Sequence, residues 1–298
     1  MTRRIAIAFL MLAAFRAGAA EPVIEIGDVE RFYKIYDGAG GHPTAEQLQH
    51  DYLDPGSEGL HNLARLRDVT GVRIADTLAK RPELYVNARR CLAILPRARA
   101  RIAASMVKLR QLYPDARFPP VTIAVSRGKP VGVGGPVDGV MIGLEALCDT
   151  EWMNPDPEER FVHVIAHEYA HVQQARELVD NEHPTVLEVS LIEGIADLVA
   201  ELTSGGTGYK DMAAAVRGRE TEVEKTFMAD RYKTDLSDWV YNSTATKQND
   251  IGYWVGYRIA KAYYLKSANK GKALKDLLEM RDPDAILAKS GWYPGMKL

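Results

Sequence analysis

The sequence predicts an α+β fold, predominantly helical, in which a small β-sheet comes immediately before a helix carrying two histidines one turn apart. Three observations predict it. Apolar residues recur at helical spacing from Ile26 to about Asp115 and again from Phe161 onward. Between these regions, VTIAVS (Val121–Ser126) and VMIGLEAL (Val140–Leu147) have strand composition, and the intervening glycines and prolines block a helix. Finally, FVHVIAHEYAHVQQA (Phe161–Ala175) is followed, across the turn-like segment 180–184, by LIEGIADLVAEL (Leu191–Leu202), so the chain can reverse and lay a second helix beside the first.

Residues 1–20 begin with Arg3 and Arg4, continue in an apolar run from Ile5 to Phe15 and end in small residues at Ala17-Gly18-Ala19-Ala20. That is the pattern of a secretory signal peptide, with an apolar run too short to span a bilayer comfortably, so a periplasmic or secreted location is expected. Its three arginines and no acids leave the remaining chain with 35 basic and 40 acidic residues, net −5. No basic block or aromatic-studded basic stripe is present, which excludes a nucleic-acid partner, and no other stretch predicts a stable membrane span. Cys91 and Cys148 are the only cysteines; a disulfide between them and two buried free thiols are both open.

Within the N-terminal helical region, 21–115, Val29, Phe32, Tyr33 and Tyr36 follow a helical period that ends at Gly38-Ala39-Gly40-Gly41. Thr44 to Gln47 reads as a capping box, and Ser57 as the cap of a helix through Leu60, Leu63 and Leu66. Further helices are predicted at about 82–94 and 97–112, with Pro82 and Pro96 at their starts. His42, His50 and His61 in this region read as solvated or capping groups. The glycine-rich stretch Val131–Gly139 reads either as a loop or hairpin or as backbone that approaches an extended ligand closely.

Asp156 and Pro157 mark the start of the next helix, a cap followed by proline at the first position. It carries His167-Glu168-Tyr169-Ala170-His171, an H-E-x-x-H pattern. The two histidines share a face and can reach one Zn²⁺, while Glu168 can hold a water and take its proton. Glu193, 22 residues past His171, supplies a third ligand from the second helix, and Asp197, one turn on, can accept from the distal nitrogen of a ligating histidine. A His, His, Glu set leaves a position for water and is a catalytic arrangement. His163, a turn before His167, reads as packing beside the site. Glu188 and Glu201 read as charges on helix faces. Glu177 and Gln174 stand where metzincins carry His and Gly, which excludes that class.

HEYAHVQQ followed by LIEGIADLVAEL resembles the gluzincin arrangement of H-E-x-x-H zinc metallopeptidases. More closely, the chain resembles the bacterial predicted zinc-dependent protease group DUF2268. The similarity extends to FYKIYD (Phe32–Asp37), YLDPGSEGL (Tyr52–Leu60), YPDARFPPV (Tyr113–Val121), VGVGGPVDGVMIGLE (Val131–Glu145) and GYWVGYRIAKAYY (Gly252–Tyr264). The resemblance implies a gluzincin-like core at 116–298 with C-terminal helices, one bound zinc ion and a peptide or protein substrate. It also implies a downstream Tyr or His as donor to the developing oxyanion. Tyr253 and Tyr257, on a predicted helix from Gly252 to Lys266, are the first candidates and His183 the third; an aromatic stripe packed into the core is the other reading of the tyrosines. A charged helical segment is expected over 210–230 after the break at Ser204–Gly208.

The residues thus imply a peptidase in which His167, His171 and Glu193 hold zinc, Glu168 is general base and Asp197 orients a ligand. Two other readings remain: a secreted binding protein that keeps the peptidase fold without turnover, and a zinc hydrolase of non-peptide amides.

Overall fold

The computed structural model describes residues 23–298; the expected leader at 1–20 lies outside the described residues. A four-stranded mixed sheet has β1 (Ile24–Glu25), β2 (Val121–Ala124), β3 (Gly132–Gly135) and β4 (Gly139–Gly143) in the order β1-β2-β4-β3. β1 pairs parallel with β2, and β2 parallel with β4, in the register Val121 opposite Val140. β3 and β4 form an antiparallel hairpin with Val133 opposite Met141. The glycine-rich stretch therefore is a hairpin, and β3 is a sheet edge.

The N-terminal helices are α1 (Gly27–Gly38), α2 (Ala45–Gln47) leading into a π-helical turn (Leu48–Leu53), α3 (Glu58–Arg67), α4 (Gly71–Lys80), α5 (Pro82–Leu92) and α6 (Leu95–Leu112). Thr44 forms the capping box with Gln47, and Ser57 accepts from Leu60 N at the start of α3. Phe32, Tyr52 and Tyr85 form a fully buried aromatic cluster. The Tyr52 hydroxyl donates to Val125 O at 2.6 Å, and that of Tyr85 to Ser126 O at 3.1 Å, so this cluster also fixes the end of β2.

Three elements depart from the sequence expectation. α4 was not foreseen, although Thr70 caps it and Ile74 and Leu78 bury one face. The strand predicted over Val140–Leu147 stops at Gly143, and Leu144–Asp149 is a helix, α7. An apolar run this short does not distinguish strand from helix by pattern. Here Glu145 turns inward, fully buried, and accepts from Ser126 N, Ser126 Oγ and Gly128 N. Third, the segment over 210–230 is helical only at α11 (Glu220–Asp230), with turns before it.

The remaining helices are α8 (Pro157–Gln173), α9 (Arg176–Val179), α10 (Val186–Ser204), α12 (Ile251–Lys266), α13 (Lys270–Leu278) and α14 (Pro283–Ser290). α8 packs against α6, α10, β3 and β4, and α10 packs against α8 and α12. α10 and α12 cross at backbone contact. A Cβ on Gly194 would lie 2.0 Å from Tyr257 N, and one on Gly256 would lie 1.7 Å from Ser190 O. One continuous hydrophobic core runs from α1 through the sheet and α8 to α13 and α14. Cys91 on α5 and Cys148 on α7 form a disulfide. Among the described residues no helix is long and apolar enough to cross a membrane.

Candidate metal centre

α8 begins where Asp156 accepts from Glu158 N at 2.9 Å and Pro157 takes the first position. α10 begins at a capping box in which Thr185 and Glu188 bond each other's backbone N–H, so Glu188 is a cap rather than a bare surface charge. These two well-delimited helices face each other through His167, His171, Glu193 and Asp197. His171, Glu193 and Asp197 are buried, and the His167 side chain is 14 % exposed.

Three atoms converge between the helices. His167 Nε2 and His171 Nε2 are 3.1 Å apart, and each is 3.3 Å from Glu193 Oε2. Two donors held at 2.0–2.1 Å by one tetrahedral zinc ion lie about 3.3–3.4 Å apart, so this triangle has the dimensions of three corners of a zinc site.

The opposite ring nitrogens fix the tautomers. His167 Nδ1 is 3.0 Å from Asp197 Oδ1, and His171 Nδ1 is 2.7 Å from Gln174 Oε1. The Gln174 amide is itself oriented, because its nitrogen donates to Ile192 O at 2.7 Å. Carboxylate and amide oxygens only accept here, so both Nδ1 atoms carry the proton. In its neutral form, each ring then turns an Nε2 lone pair toward the other and toward an anionic oxygen. Three electron-rich atoms at this separation repel unless a cation lies between them, and the donor set therefore fits zinc.

Electrostatics follow the same pattern. Burial alone would push the His167 and His171 rings down, but Asp197 and Glu193 outweigh it and raise both. Burial works against the Glu193 carboxylate, yet the two imidazoles hold its carboxyl below the ordinary range. Glu168 goes the other way: burial raises its carboxyl, with the two histidines opposing. No side-chain hydrogen bond engages the Glu168 carboxylate among the described residues. Its location depends on the edge strand, since a Cβ on Gly132 would fall 2.3 Å from Glu168 Oε1, and one on Gly134 would fall 2.3 Å from the Glu168 carbonyl oxygen. Glycines at these positions let β3 lie directly over Glu168.

The two candidate tyrosines part company. The Tyr253 ring lies parallel to His167, with centroids 6.4 Å apart and planes at 6°. Tyr257 does not reach the donor set: its hydroxyl donates to Glu201 Oε2 at 2.8 Å and accepts from Lys261 Nζ at 2.7 Å. Glu201 is two turns beyond Glu193 on α10, roughly 12 Å along the axis. His183 sits in the exposed turn after α9, its backbone N–H donating to Asn181. His163 is buried between Ser204 Oγ and Glu159 Oε2, both at 2.7 Å, and burial pushes its ring down.

A tyrosine with no sequence signal reaches the donor set. Tyr241, in the irregular segment before α12, donates its hydroxyl to Glu193 Oε1 at 2.9 Å. Its ring meets Tyr253 edge-on, with centroids 6.4 Å apart. Its φ of 59° is in the left-handed region, uncommon for a bulky residue. Gln174 is the other residue not assigned a role in advance; it is the extended C-cap just past the end of α8, three residues after His171.

The site defines the chain as a zinc hydrolase candidate of the H-E-x-x-H class, with His, His and Glu as the donor set. Residues 134–287, more than half of the 298-residue chain, match the family described as predicted Zn-dependent protease (DUF2268), and the chain belongs to that family. The matched segment begins within β3, at Gly134, and holds β4 and the whole metal centre. Comparison with curated proteins and with solved structures returned no match.

Proposed function

We propose that this chain is an exported zinc peptidase that hydrolyses peptide bonds with Glu168 as general base. The observation that carries this reading is the convergence of His167 Nε2, His171 Nε2 and Glu193 Oε2 at 3.1–3.3 Å, with both Nδ1 atoms committed to acceptors. A zinc ion bound there supplies Lewis-acid polarisation of the scissile carbonyl and a lowered pKa for the attacking water.

The rest is done by the chain's own groups. Glu168, raised by burial and without a side-chain hydrogen bond among the described residues, takes the proton of the attacking water on its carboxylate and delivers it to the leaving amine nitrogen. Asp197 and Gln174 hold the two imidazoles in the tautomer and orientation that present Nε2. Tyr241 is the phenol whose hydroxyl reaches the donor set, and it turns from Glu193 to donate to the developing oxyanion. Tyr253 supports the His167 ring by stacking rather than by donating. Export is supported by the leader pattern at 1–20 and by the Cys91–Cys148 disulfide, a bond that persists in oxidising compartments.

A fluorogenic peptide library incubated with the zinc-loaded chain, with Glu168→Gln as the blank, tests the reading. Cleavage by wild type that Glu168→Gln abolishes while keeping its zinc supports it; equal turnover by both removes Glu168 from the mechanism.

A further inference from the structure

The β3–β4 hairpin approaches the metal helix so closely that a side chain on β3 would collide with it. A Cβ on Gly132 would fall 2.3 Å from Glu168 Oε1, and one on Gly134 would fall 2.3 Å from the Glu168 carbonyl oxygen. β3 is a sheet edge and bonds to β4 alone. That pairing fixes its register. The far end of the hairpin, the turn Pro136-Val137-Asp138 with Val137 63 % exposed, is held from outside the sheet.

Among the described residues, two arginines reach this turn. The first is Arg117, whose backbone is pinned to α8. Its N–H donates to Gln173 Oε1, and Gln173 Nε2 donates to Arg117 O, both at 2.8 Å. Beside it, the Tyr169 hydroxyl donates to Pro119 O at 2.9 Å, and the Phe118 ring meets Tyr169 edge-on. From this anchored backbone the guanidinium joins two elements. Nη2 donates to Val172 O near the end of α8, and Nη1 donates to Pro136 O at 3.3 Å. Val172 O is one of the last four carbonyls of the helix, which have no intrahelical donor. The second is Arg65 on α3, which pairs with Asp138 at 2.6 Å. Both arginines precede residue 134 and so lie outside the family-matched segment.

We propose that Arg117 and Arg65 are positioning residues that clamp the tip of the β3–β4 hairpin to α8 and α3 and so hold β3 at its distance from Glu168. The N-terminal region then acts on the metal centre without touching it. The Arg65 side chain is 61 % exposed, and an ion pair this open adds little to overall stability. Loss of the clamp therefore loosens one hairpin and leaves the core intact. The consequence for turnover rests on the peptidase reading; the consequence for the hairpin does not.

Hydrogen–deuterium exchange of the zinc-loaded full chain, read by mass spectrometry on peptides covering 131–141 and 157–173, tests the clamp. Arg117→Met should speed exchange over 131–141 about tenfold or more, with exchange over α8 and the thermal midpoint unchanged. Asp138→Asn should act in the same direction to a smaller degree, and it decides the matter if Arg117→Met does not fold. The exchanged pair Arg65→Asp/Asp138→Arg should restore protection, which a mere disturbance of the turn would not allow. In the fluorogenic peptide assay, a loosened hairpin should cost about tenfold or more in kcat with zinc content retained. Arg117→Lys, which keeps the charge and loses the fork, should recover part of both readouts. The proposal is overturned by unchanged hairpin exchange in the variants, by exchange that rises equally over α8, or by full kcat in a chain whose hairpin has loosened. A wild type that cleaves no peptide bears on the peptidase reading alone, because the exchange comparison stands without turnover.

Discussion

The helix pair α8–α10 and the irregular segment that carries Tyr241 meet at Glu193, yet they are built in opposite ways. On the helices, each donor is fixed by a buried partner: His167 by Asp197, His171 by Gln174, and Gln174 in turn by Ile192 O. The Tyr241 segment has no ladder of its own. It is held by Asp250 accepting from Asn242 N at 2.8 Å and by Ser243 Oγ accepting from Asn249 N at 2.8 Å. It also holds Tyr241 in a backbone conformation that is unfavourable by roughly 1–2 kcal/mol for a residue with a side chain. The contrast indicates a division of labour. On the proposed mechanism the helices would set metal affinity, and the loop would set the rate once metal and substrate are in place.

That division can be broken or sharpened by variants that separate zinc content from turnover. The largest effect belongs to Glu168→Gln, which should retain full zinc occupancy and lose about 10²–10⁴ in kcat. Loss of zinc along with activity would show that Glu168 belongs to the metal set. Tyr241→Phe comes next: kcat should fall about 10²–10³ with KM and zinc content unchanged. A variant that instead released zinc would move Tyr241 to the helix side of the comparison. Gly132→Ala places a methyl 2.3 Å from Glu168 Oε1 and forces the carboxylate aside. Displacement of a reacting group by about 1 Å is enough for roughly a hundredfold loss in kcat/KM, again with zinc retained.

Asp197→Asn and Gln174→Leu should act on the other side, lowering zinc affinity about 10–100-fold, measurable by competition with a chromogenic chelator. Smallest of all is Tyr257→Phe. Its hydroxyl serves Glu201 and Lys261, so turnover should be unchanged and stability should drop by no more than about 1 kcal/mol in a denaturant titration.

The same comparison explains what could be read from the sequence. α8 was legible because its cap, its proline and its i, i+4 histidines are local signals. Glu193 and Asp197 were legible because a helix places them one turn apart on one face. Tyr257 misleads for a related reason. It shares a helical face with Tyr253, but α12 crosses α10 at Gly194 and Gly256, so one turn along α12 carries the phenol to Glu201. That crossing is a tertiary fact with no pattern of its own in either helix. Tyr241 could not be found by periodicity, because nothing repeats in a loop fixed by side-chain caps. α7 was read as strand because VMIGLEAL is uniformly apolar up to Glu145, and only the burial of Glu145 against Ser126 and Gly128 reveals the turn into helix. β1 escaped because a two-residue strand exists only through its pairing with β2.

The central claim is that two helices hold one zinc ion through His167, His171 and Glu193. Zinc content of the purified chain, measured beside Glu193→Ala after identical loading and dialysis, tests it most directly. The account predicts one equivalent in wild type and loss of it in Glu193→Ala, with both chains folded by circular dichroism. A folded wild type that takes up no zinc, or a Glu193→Ala that keeps a full equivalent, would contradict it.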